Sequence, residues 1–147
     1  IQYSQLVPGA DKYQMIFFYK NEINLKKYDD ITLYFKKNDK KYLISSIGAS
    51  INFDNKFDEC LRKKNSIKKD IENYLNIIFG EDQKSILLDN DESFLEGNVY
   101  TSNLEDTIQI ACYKWSKEMK RNQNRYDQLV LSINKNEYVN WVQENIN

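Results

Sequence analysis

The chain contains no histidine among its 147 residues, and that absence excludes more chemistry than any other property of the sequence. Without imidazole there is no Ser-His or Cys-His nucleophile pair, no histidine general base and no histidine metal ligand. There is one proline and there are four glycines, each isolated, so no glycine-rich phosphate loop can be drawn. The two cysteines, Cys60 and Cys112, lack the Cys-x-x-Cys spacing of redox motifs and are too few for a structural zinc site. The longest run free of polar groups is four residues, 15–18, against the roughly 20 needed by a membrane-spanning helix. Neither sign of charge dominates: 21 basic and 22 acidic residues leave a net charge of −1 and a pI near 5.6. No global field therefore gathers nucleic acid or anionic lipid.

What is present reads as an ordinary globule. A hydrophobic fraction of 41% can build a core, and a charged fraction of 29% wets its surface. At this length one domain is expected, with residues 1–12 as an extended tail and 13–147 as a single α+β domain. Eighteen lysines, eighteen asparagines and eleven tyrosines match AT-rich codon usage better than any motif. The sequence opens at Ile1 without a methionine, a basic segment or an apolar segment, and the expectation is a removed leader or a trimmed chain.

Periodicity supplies the elements. In 13–19, Tyr13, Met15, Phe17 and Tyr19 alternate with Ile16 and Phe18, the period of a strand buried on both faces. A hairpin follows, with arms at 31–36 and 42–53 around the turn-rich 37–40. Phe57, Cys60, Leu61, Lys64, Ile67, Ile71, Tyr74, Leu75 and Ile78 recur at helical steps, predicting a long helix at about 55–79, capped by Asp54 or Asn55 and ended by Gly80. A short strand at 85–88, an acidic and mobile connection to about 106, a second hairpin (107–115 and 126–133) and a short terminal helix from Asn136, presenting Tyr138, Trp141, Val142 and Ile146, complete the chain. The fold expected is a mostly antiparallel sheet of five to six strands, with the long helix and the C-terminal helix packed on it.

Cys60 lies on the apolar stripe of the long helix and Cys112 on the core face of a strand that this helix should cover. The two face one another in this arrangement, and a disulfide between them would mark an oxidising compartment; unpaired buried thiols are the alternative.

Chemistry is scarce elsewhere. Asp89, Asp91, Glu92 and Glu96 suggest a calcium loop, but the template fails at its sixth and twelfth positions, occupied by Phe94 and Tyr100, so no metal is expected. Around the second hairpin Lys114, Lys117, Lys120, Arg121 and Arg125 interleave with Trp115, Met119 and Tyr126. That mixture suits a protein partner better than nucleic acid, although lysines at such tips also serve solubility. The function expected is non-enzymatic: a cofactor-free binding domain of an exported or periplasmic bacterial protein, of inhibitor or immunity type. A structural envelope domain, a cytoplasmic location and a carboxylate-dependent enzyme are the alternatives.

Overall fold

The computed structural model describes residues 12–87 and 91–145. Residues 1–11 of the tail expected over 1–12, and the roles given to Asp89 and Ile146, lie outside these residues. The class is α+β: among the described residues, a seven-stranded antiparallel sheet with four helices. The elements are β1 (Tyr13–Tyr19), α1 (Lys20–Ile23), β2 (Asp30–Lys36), β3 (Ile44–Asp54), α2 (Phe57–Leu75), β4 (Gln83–Ile86), β5 (Phe94–Thr101), β6 (Thr107–Lys114), α3 (Lys117–Gln123), β7 (Asp127–Asn134) and α4 (Asn136–Asn145). The strands are ordered β1-β2-β3-β7-β6-β5-β4. No helix among the described residues is long and apolar enough to cross a membrane.

The strand missing from the sequence reading is β5, which occupies the supposed mobile connection. Its interior, Gly97-Asn98, breaks every strand propensity, and the reason is local. A Cβ on Gly97 would come within 2.5 Å of the Ala111 Cβ and 2.6 Å of the Ile110 carbonyl oxygen, so only glycine lets β5 lie against β6. Asn98 is fully buried and its amide donates to the Gly80 carbonyl oxygen at 2.9 Å.

By contacts the chain divides into two compact units. Of the described residues the first comprises 12–49, 101–108 and 132–145, and the second 50–87, 91–100 and 109–131. In the first, the centre is aromatic. Tyr13 packs against Tyr138 and Trp141 with ring centroids 5.2 and 4.9 Å apart, and Tyr34 approaches Tyr138 at 5.0 Å. Such pairs add about 0.5–1.5 kcal/mol each beyond area burial. Burial pushes the Tyr138 hydroxyl well above its ordinary pKa, with the neighbouring Tyr34 adding to the effect. The Asp106 carboxylate accepts from the Asn136 backbone N–H (3.0 Å) and from Lys135 Nζ (2.7 Å), so it caps α4 and is itself held below the usual carboxylate range, chiefly by Lys135. β1 is an edge strand rather than a doubly buried one: of its residues only Tyr13 is buried.

In the second unit the core holds Ile110, Ala111, Leu129 and Phe79 with Cys60 and Cys112. The cysteines form a disulfide with Cα atoms 6.0 Å apart, joining α2 to β6. The limits of α2 differ from those expected. It starts at Phe57, after Lys56, with no side-chain cap from Asp54 or Asn55. It ends at Asn76, which adopts the left-handed conformation (φ 53°) expected of Gly80. The stripe also shortens. Only Cys60 and Lys64 of α2 are buried, while Tyr74 and Ile78 are 89% and 84% exposed. Lys64 reaches Asp82 in an ion pair, which explains how an ammonium group tolerates 1% exposure.

Candidate functional site

The second unit contains a groove of about 610 Å³. It lies between the start of α2, the end of β6 and the start of α3, and each side chain is placed by a traceable local cause. The Ser116 hydroxyl accepts from Met119 N–H (3.2 Å), capping α3, and donates to the Asp91 carboxylate (2.7 Å). Asp91 also accepts from Ser93 N–H (2.6 Å), and Ser93 Oγ accepts from Ser116 N–H (2.9 Å). Hydrogen bonds from the Ser93 and Ser116 hydroxyls, in that order, hold the Asp91 carboxyl below its ordinary pKa. The acidic segment is thus an anchor for α3 and not, at Asp91, a solvated loop. No group of three Asp, Glu or Cys among the described residues is placed to hold a metal ion.

The floor is Asp127, 1% exposed, which accepts from Trp115 N–H (3.0 Å) and pairs with Lys120 (2.8 Å). Lys120 also donates to Asn55 (3.0 Å), so it bridges α3 to the loop before α2. On the rim, Lys114 Nζ stands 5.5 Å from the Phe57 ring and 5.7 Å from Phe94, and those two rings meet edge to face at 5.3 Å. Trp115 stacks against Tyr113 at 6.3 Å, and the Arg125 guanidinium lies 5.0 Å from the Trp115 ring centroid. The indole Nε1 is buried without an acceptor among the described residues.

Of the residues singled out from sequence, Lys114, Trp115, Lys117 and Lys120 line the groove. Arg125 reaches it only through Trp115. Arg121 and Tyr126 take local partners, Asn122 at 3.3 Å and Asn124 at 3.1 Å, and do not join it. Sequence reasoning missed Phe57, Arg62 and Asp127. Phe57 belongs to the helical stripe, and nothing in one sequence marks the start of α2 as a groove wall. The lining carries five cations and four carboxylates, but Lys56 pairs with Glu59 (3.6 Å) and Lys120 with Asp127. Arg62, Lys114 and Lys117 form no ion pair among the described residues. The arrangement can grip an acidic, partly apolar surface, and its only buried carboxylate, Asp127, is already paired with Lys120.

Compared with known proteins, the chain matches no family model, no curated protein and no solved structure.

Proposed function

We propose that the chain is a non-enzymatic binding domain of an exported protein, which takes a protein partner into the groove walled by Phe57, Lys114 and Trp115. The observation that carries this reading is the juxtaposition of three cations, Arg62, Lys114 and Lys117, which form no ion pair among the described residues, with the aromatic rings of Phe57 and Trp115. Arginine and tryptophan are the residue types that dominate binding energy at interfaces. The Cys60–Cys112 bond supports an oxidising compartment, periplasmic or extracellular, and fixes both groove walls: Cys60 lies three residues beyond Phe57 and Cys112 two before Lys114. Partner identity follows from charge: an acidic protein surface, in the manner of an inhibitor or immunity-type protein occupying a partner's site.

The test compares affinity capture by the wild-type chain with capture by Trp115→Ala and Lys117→Glu variants, from cells that make the protein. One stoichiometric partner with an acidic contact surface should be retained by the first and lost by both variants, and its binding should weaken as salt rises. Identical capture by all three proteins would overturn the reading.

A further inference from the structure

The free edge of β1 carries a second interaction surface, independent of the groove. The register of β1 on β2 runs from Tyr13↔Lys36 to Tyr19↔Asp30. Just beyond its two ends, Lys37 N–H donates to the Lys12 carbonyl oxygen and Lys20 N–H to the Asp29 carbonyl oxygen, both at 2.8 Å. Hydrogen-bonded and non-hydrogen-bonded pairs alternate along an antiparallel ladder, so residues 12, 14, 16, 18 and 20 are those bonded to β2. The odd-numbered residues direct N–H and C=O to the opposite side. Tyr19 confirms the phase, because its N–H is taken by the Glu22 carboxylate at 2.9 Å and not by β2. Tyr13, Met15 and Phe17 therefore present a row of backbone donors and acceptors to an edge that no other strand covers among the described residues.

None of the usual protections of an exposed edge occurs inside this row: 13–17 has no charge, no proline and an unbroken register. The charge lies at its two ends. Lys12, Lys37, Lys40 and Lys41 cluster at the Tyr13 end with Asp39 as the one carboxylate beside them, and none of the four forms an ion pair among the described residues, whereas at the Tyr19 end Lys20, Lys26 and Lys27 are balanced by Glu22, Asp29 and Asp30. Residues 12–41 hold eight lysines against four carboxylates. Acidic residues of an incoming strand beside the Tyr13 end would neutralise that cluster, whereas a second copy of the chain would add its own excess of lysine over the same stretch. We infer that β1 is a strand-addition site for an extended peptide segment of a partner protein, with about five alternating apolar and small polar residues and with Asp or Glu beside the Tyr13 end. The segment spans about 14 Å, its main chain bonds to Tyr13, Met15 and Phe17, and its side chains continue the rows begun by Ile16 and Phe18 on one face and Met15 and Phe17 on the other.

The probe is a labelled synthetic peptide of five alternating valines and threonines with two glutamates at each end, titrated into the full chain. Saturable binding is expected, at least about ten-fold weaker for the same peptide with lysine flanks and for one N-methylated at alternate residues, which cannot bond to the edge. Met15→Pro removes an outward N–H that β2 does not use and should weaken binding as much with little effect on thermal stability; should it unfold the protein, the N-methylated peptide carries the same comparison. In the free protein the Met15 and Phe17 amides should exchange quickly with solvent and become protected on adding peptide. Absent or N-methylation-insensitive binding would overturn the inference. So would amides already protected in the free monomer, which would place this chain's own residues 1–11 on the edge, or a stable dimer that the peptide fails to dissociate.

Discussion

Reduction of the Cys60–Cys112 bond is the perturbation whose effect can be worked most directly from the structure. The bond closes a sequence separation of 52 residues, which on the chain-entropy account corresponds to about 4 kcal/mol of stability at 25 °C. Reduction leaves both sulfurs in the core and removes little packing, so the expected change is nearly the cross-link term alone. With a urea m-value of about 2 kcal/mol/M, the unfolding midpoint should fall by about 2 M, and Tm should fall by roughly 8–16 °C for a chain of this size. The two tryptophans give a local readout: Trp115 lies in the cross-linked unit and Trp141 in the other. Urea titrations with and without reductant, followed by fluorescence in Trp141→Phe and Trp115→Phe backgrounds, should show the full loss through Trp115. A reduced protein whose Trp115 transition moves by less than about 1 kcal/mol would refute the reasoning, because α2 and β6 would then hold together without the bond.

Asp82→Asn should destabilise by about 3–5 kcal/mol in chemical denaturation, since it leaves the Lys64 ammonium buried and unpaired, whereas Lys64→Met should be neutral or stabilising. Gly97→Ala should cost about 1–3 kcal/mol because the added Cβ meets Ile110 and Ala111 backbone atoms at 2.6 and 2.8 Å, measurable as a lower Tm. Tyr13, Tyr34, Tyr113 and Tyr138 have raised pKa values, burial being the first cause in each. Their preference for the neutral folded form is present in full below the unfolded value of about 10 and is lost above it, so the part of the tyrosinate absorbance that these four contribute should rise together with unfolding rather than before it. Asp91 and Asp106 act at the other end: their lowered pKa values contribute stability above the unfolded value near 3.8 that is lost as pH falls further, and Asp91→Asn should blunt that acid sensitivity in a pH titration of Tm.

Most of the architecture was legible because burial imposes period. The hairpin of β2 and β3, the helix carrying Cys60, strands β6 and β7, and α4 with Trp141 all follow spacings of two or three to four residues. The disulfide followed from the same reasoning, as two faces that had to meet. Legibility failed where a residue answers to one neighbour instead of to its element. Gly97 and Asn98 hide β5 because they serve Ala111 and Gly80, and Asn76 ends α2 through a backbone conformation that the apolar stripe does not encode. α3 was readable in principle from Ser116 ahead of a run of helix formers, but a hairpin connection was the simpler account of the same residues. The groove was half visible: Lys114, Trp115, Lys117 and Lys120 share a stretch of sequence, while Phe57, Arg62 and Asp127 arrive from other elements, and such convergence leaves no trace in spacing.

The two buried positions of α2 are Cys60 and Lys64, one turn apart in its first half, and neither is held mainly by the hydrophobic effect. The helix is thus fastened by a covalent bond and an ion pair near one end, while Tyr74 and Leu75 at the other face water. Amide protection should accordingly decline along α2 from Cys60 toward Asn76.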